Sequence, residues 1–189
     1  AKNTVINAAK KTNQTNIKTT INPVIMHNRF SVLLFFVICL TSCREPVQFS
    51  DTYKTKGFWH KDSIAEFSFT APDTINKYDF FIHIRNTEDY KFSNLFIITS
   101  MQFPHGKIIV DTLEYKMAFK DGKLMGEGFG NIKDNKLWYK EALKFSENGD
   151  YQIKIRHAMR KANRTEPLTI LKGVEEIGFS FEPVKPEKS

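Results

Sequence analysis

The clearest chemistry in the sequence belongs to four residues, Leu40-Thr41-Ser42-Cys43. A thiol that follows an apolar residue and two small ones is the pattern of a lipobox, in which the cysteine accepts a diacylglyceryl unit. The small Ser42 lets a peptidase reach the bond before Cys43, and the new amino terminus can take a further acyl chain. Each buried methylene contributes about 0.8 kcal/mol, and two or more chains give stable anchoring. The residues upstream serve the same end. Arg29 supplies a positive start, and Phe30 to Leu40 form an apolar run of 11 residues interrupted only by Ser31. That run is shorter than the roughly 20 residues that span a bilayer as a helix, and it has the length of the apolar centre of a signal peptide. The expectation is a signal peptide over residues 26–42, cleavage after Ser42 and lipid on Cys43. Residues 1–25 precede Met26, are rich in Asn, Thr and Lys, and are expected to lie upstream of the true start or, if made, to be disordered.

Other chemistry is sparse. Once Cys39 leaves with the signal peptide and Cys43 is acylated, no thiol remains for a disulfide or a metal site. His60, His83, His105 and His157 show no metal-ligand spacing. His83 and His157 are expected to be ordinary hydrogen-bonded or surface residues, and His105 a turn residue. Gly126-Glu127-Gly128-Phe129-Gly130 lacks the Lys-Ser/Thr of a phosphate-binding loop and is read as a stretch of tight turns. No Ser lies in a Gly-x-Ser-x-Gly elbow. Glu114, Glu127 and Glu141 are scattered carboxylates with no spacing that pairs them. No catalytic residue, metal site or cofactor is therefore expected. Trp59, Trp138 and Tyr139 are the candidates for a binding surface, because exposed aromatic rings stack on sugars, although such residues more often pack in a core.

The elements that must carry these residues read as strands. Seventeen Phe and six Tyr against nine Gly favour β structure. Residues 43–57 are expected to form a lipidated tether with a first strand over Val47–Tyr53. Ala65, Phe67 and Phe69 alternate on one face of the next strand, and Tyr78, Phe80, Ile82 and Ile84 on another. Leu95 to Phe103, Pro104-His105-Gly106 and Lys107 to Met117 make the best hairpin in the chain. Leu137 to Phe145 places Trp138 and Tyr139 on opposite faces. Tyr151, Ile153, Ile155 and His157 alternate in a half-buried strand, and Val174 to Phe181 closes the domain. About eight strands with no trustworthy helix predict an all-β fold: a single β-sandwich over residues 58–182, of Ig-like or jelly-roll type, with a flexible tail at 183–189.

Charge excludes one class of partner. The whole chain carries +7, but residues 1–42 hold Lys2, Lys10, Lys11, Lys18 and Arg29 and no acid. That leaves 23 Lys and Arg against 21 Asp and Glu from residue 43 onward, a balance of only +2 with no footprint for nucleic acid.

Several stretches, in order, resemble the GldH family of gliding-motility lipoproteins of Bacteroidota. They are Tyr78–Asn86, Tyr90–Leu95, Phe103–Lys107, Val110–Tyr115, Gly126–Lys133 followed by Asn135–Lys140, Tyr151–Arg160 and Val174–Phe181. The resemblance covers residues 44–182 and agrees with the lipobox. It implies a non-enzymatic, membrane-anchored component of the gliding-motility machinery and of the associated protein secretion, whose partners are other envelope proteins of that apparatus. It brings no catalytic residues. Arg44, rather than an acid, follows Cys43, which points to the outer membrane. The alternative is a carbohydrate-binding surface lipoprotein with a glycan partner.

Overall fold

Alternating apolar and polar residues set the strands. The computed structural model describes residues 48–161 and 163–185, and its elements are all strands. They are β1 (Phe49–Lys54), β2 (Phe58–His60), β3 (Ala65–Thr70), β4 (Tyr78–Thr87), β5 (Asn94–Gln102), β6 (Ile108–Lys116), β7 (Ile132–Leu143), β8 (Asp150–His157), β9 (Ile170–Lys172) and β10 (Val174–Pro183). In β3, β5 and β8 every second residue is buried, as the sequence pattern requires of strands with one face on a core.

Two four-stranded antiparallel sheets result, ordered β1-β10-β4-β7 and β3-β8-β5-β6, with β2 and β9 pairing as a separate ribbon. Setting that ribbon aside, the eight remaining strands in chain order lie 1-8-3-6 and 2-7-4-5. This is the double Greek-key order of a jelly roll, and it decides between the two sandwich types expected from the sequence. Among consecutive strands only β5 and β6 pair as a hairpin, the one expected around Pro104-His105-Gly106.

The core is aromatic. Phe69, Phe80, Phe145, Tyr151, Phe179 and Phe181 are buried and meet with ring centroids 5.0 to 6.5 Å apart. Stacked, tilted and edge-on pairs all occur among them, and aromatic pairs add about 0.5–1.5 kcal/mol each beyond area burial.

Three expectations change. The first strand expected over Val47–Tyr53 is β1, but it belongs to the sandwich and not to a separate tether: it pairs with β10 over Phe49–Lys54, and Phe49 packs against Phe69 at 5.2 Å and Phe181 at 5.6 Å. The sheet therefore begins before residue 58, because an aromatic residue in the polar stretch finds the core. β7 begins at Ile132 rather than Leu137. Asn135 takes an inward position there and donates from Nδ2 to Asn86 Oδ1 at 2.8 Å, so a polar side chain interrupts the apolar alternation. The C-terminal strand reaches Pro183, the first residue of the expected tail, and Val184 N–H donates to Lys77 O at 2.9 Å. Residues 186–189 lie outside the described residues.

The glycine-rich run is explained by close packing. Glu127 and Asp134 exchange backbone hydrogen bonds at 2.9 and 2.7 Å, folding the run back on the start of β7. At Gly128, with φ +138°, a Cβ would stand 2.5 Å from Ile132 O, and at Gly126, with φ +101°, 2.7 Å from Asp134 O.

Candidate functional surface

The three aromatic residues proposed as a binding surface are separated. Trp59 is fully buried; its Nε1–H donates to Ser63 O at 2.9 Å and its ring meets His157 edge-on at 5.3 Å. Tyr139 points inward and is 8% exposed. Trp138, next to it on β7, points outward and is 55% exposed. The opposite facing of Trp138 and Tyr139 follows from the strand period, while Trp59 sits in a strand too short to show one.

Trp138 forms part of the outer face of the β1-β10-β4-β7 sheet. Its ring lies 4.6 Å from Phe81, its cross-strand neighbour, and the Lys136 ammonium stands 4.0 Å above the Phe81 ring. Lys136 also pairs with Glu182. Beside them His83 Nε2 is 2.7 Å from Ser180 Oγ. Burial, aided by the Lys136 ammonium, holds the His83 imidazole below its usual range. A hydroxyl on an imidazole is the contact of a nucleophile with its base. Here Ser180 is only 2% exposed, and among the described residues no carboxylate hydrogen-bonds the other ring nitrogen of His83.

On the inner side of β7 a set of polar ties joins the two sheets. Tyr139 O–H donates to Asp111 Oδ2 at 2.9 Å and lies 3.3 Å from Thr99 Oγ1. The Lys140 ammonium reaches the same Asp111 oxygen at 2.9 Å. Tyr115 O–H donates to the Trp138 carbonyl at 2.7 Å. Burial raises both phenols, Tyr115 to about 12, and the Asp111 carboxylate adds to the rise at Tyr139. Asp111 was not singled out by its sequence, since it occupies one position of a strand with no distinctive spacing.

The remaining candidates disperse. Glu114 accepts from Asn94 Nδ2 at 2.8 Å, Glu127 sits in the glycine-rich turn, and Glu141 is exposed on β7. His105 is in the β5–β6 turn as expected and binds Glu147 at 2.6 Å, which lowers that carboxyl. His157 differs from expectation. It is 2% exposed and neither ring nitrogen has a hydrogen-bond partner, because its strand position turns it inward against Trp59. Among the described residues, no three His, Cys, Asp or Glu side chains converge as a metal would require. Cys43 and Ser42 lie outside the described residues.

One feature escaped the sequence reading. The connection from β6 to β7 and residues 88–93 line an open hollow of about 720 Å³ whose walls include Lys91, Lys120, Lys123 and Lys133 with Phe92 and Phe119. These lysines come from three separate segments and gather only when the sheets pack.

Fold and surface together define a jelly-roll sandwich domain whose polar groups lie in cross-sheet ties and on open faces. The chain belongs to the GldH lipoprotein family, whose family model matches residues 48–181. It is 45% identical over 158 residues to the gliding motility lipoprotein GldH homolog of Christiangramia forsetii, covering 83% of this chain and 98% of that protein. It is 42% identical over 152 residues to the gliding motility lipoprotein GldH of Flavobacterium johnsoniae, covering 80% of this chain and 94% of that protein. Among solved structures, the infectious bursal disease virus VP2 subviral particle aligns with a TM-score of 0.31 and 12% identity over 70% of this chain, which spans 29% of that viral chain.

Proposed function

We propose that the protein is a lipid-anchored, non-enzymatic component of the gliding-motility machinery and of the protein secretion that accompanies it. The observation that carries this reading is the match to the GldH lipoprotein family across residues 48–181, together with near full-length similarity to two proteins named for gliding motility. In this reading residues 26–42 direct export, Ser42 precedes the cut, and Cys43 carries the lipid. The sandwich is then held at the outer membrane as a docking body for other proteins of the apparatus. Deleting the gene is expected to abolish surface spreading and reduce adhesin export, and the unaltered gene to restore both. Normal spreading and export in the deletion strain would overturn the proposal. For the anchor, Cys43→Ala is expected to move the protein from the membrane to the soluble fraction and to remove metabolic labelling by palmitate; retention of both would refute it.

A second reading has one observation in its favour, the exposed Trp138 ring backed by Phe81 beside Lys136 and Glu182. An aromatic platform flanked by charged hydrogen-bonding groups suits a glycan. Calorimetric titration with envelope glycans decides it: binding lost on Trp138→Ala supports the reading, and no binding removes it.

A further inference from the structure

Every sandwich has sheet edges, and an edge strand offers unpaired N–H and C=O groups to any other extended chain. Among the described residues the two four-stranded sheets have four: β1 and β7 on one, β3 and β6 on the other. Three are short or blunted. β1 and β3 have six residues each and lie against one another. β7 is irregular where it meets β4 at Tyr78 to Phe81, carries Ala142 at φ +49°, and has its Trp138 carbonyl taken by the Tyr115 hydroxyl. β6 differs. It runs nine residues in unbroken register with β5, without a proline or a bulge, and among the described residues no strand pairs with its other side.

The phase of the hydrogen bonds shows which groups that side presents. At one end of the hairpin Phe103 N–H donates to Lys107 O at 2.8 Å, and beyond its other end Met117 N–H donates to Ser93 O at 2.8 Å. In an antiparallel pair the hydrogen-bonded residues alternate, so the odd-numbered residues of β6 face β5 with their backbone groups. The amides and carbonyls of Ile108, Val110, Thr112, Glu114 and Lys116 therefore point away from the sheet. The side chains of the same five residues are exposed, with Ile108 at 56% and Val110 at 62%. The edge thus combines free backbone groups with an apolar end and a charged end.

A second copy fits this edge poorly. Pairing β6 with itself antiparallel along its full length centres on Thr112 and sets Ile108 against Lys116 and Val110 against Glu114. Each charge would face an apolar side chain, whereas cross-strand pairs favour like polarity and opposite charge. We propose that β6 accepts an extended segment of a different protein as an added antiparallel strand. Its occupant carries apolar residues opposite Ile108 and Val110, a base opposite Glu114 and an acid opposite Lys116. Backbone bonds supply the attachment and the alternating side chains the selectivity. The inference stands on the edge geometry and holds independently of the gliding role.

The test uses the full chain. In the purified protein, the amides of Ile108, Val110 and Thr112 are expected to exchange at least tenfold faster than those of Ile109 and Asp111. Equal protection of both sets in the isolated chain would show the edge already filled and overturn the proposal. In living cells, a photo-crosslinking residue at Thr112 is expected to join one partner through a segment that carries the stated polarity pattern. Val110→Pro removes an outward N–H without a bond to β5, and Val110→Lys removes the apolar contact with the backbone intact. Either, in a chain whose melting is unchanged, is expected to cut the adduct at least fivefold. An adduct with a second copy, a linked segment without the pattern, or insensitivity to both variants would each refute the proposal.

Discussion

At the residue scale, burial governs the shifted histidines and tyrosines, and hydrogen bonds govern the shifted carboxylates. His157 is held neutral by desolvation, its pKa lowered to about 4, with the charges of His60 and Arg156 acting the same way. The unfolded imidazole takes its proton near pH 6.5. Between those values the unfolded chain binds more protons, so His157 contributes stability that is complete above pH 6.5 and is lost as pH falls toward 4. The loss is on the order of 3 kcal/mol. His83, also shifted downward, acts in the same direction. Urea unfolding at pH 7 and pH 4.5 is expected to show the fall, and His157→Phe to flatten it by one proton. Tyr139→Phe removes the hydroxyl that binds Asp111 while Lys140 still satisfies the carboxylate. A cost of about 1 kcal/mol is expected in the same measurement. Neither role was legible in the sequence. Alternation put His157 in step with Tyr151, Ile153 and Ile155, but only the packed structure shows what stands beside it, the Trp59 ring at 5.3 Å.

At the element scale, the sequence was most informative where one face of a strand meets the core and the other meets water. The strands through Phe67, Ile97 and Ile153 show this, as does the turn at Pro104-His105-Gly106. It was least informative for β2 and β9, whose three residues each are too few for a period, and at the start of β7, where the buried Asn86–Asn135 contact replaces an apolar one. The glycine-rich run was read as turns; the further reason for its composition is the backbone of β7 pressing on it. Gly128→Ala combines an unfavourable φ with an oxygen 2.5 Å from the new Cβ. The variant is expected to lose about 1–3 kcal/mol by thermal or urea unfolding, with the strand from Ile132 shifted.

At the scale of the whole molecule, the class of fold was visible in the spacing of strands, but the jelly-roll order was not, because pairing between distant strands leaves no local trace. Stability concentrates where the two sheets share rings. Phe179 touches Phe49, Phe67, Phe69 and Phe80, and is fully buried. Phe179→Ala is expected to cost about 3–5 kcal/mol, read as a lowered urea midpoint. The Greek-key order also ties the two ends of the domain together, since β10 sits between β1 and β4. A chain that ends before Val174 deprives both of those strands of their partner and is expected to give no cooperative melting transition. The pairing of the earliest strand with the latest imposes an order in time. A polypeptide made with its amino end first cannot complete this sheet until the stretch through Pro183 has followed. Until then Phe49 lacks Phe179 and Phe181, two of the three rings it packs against.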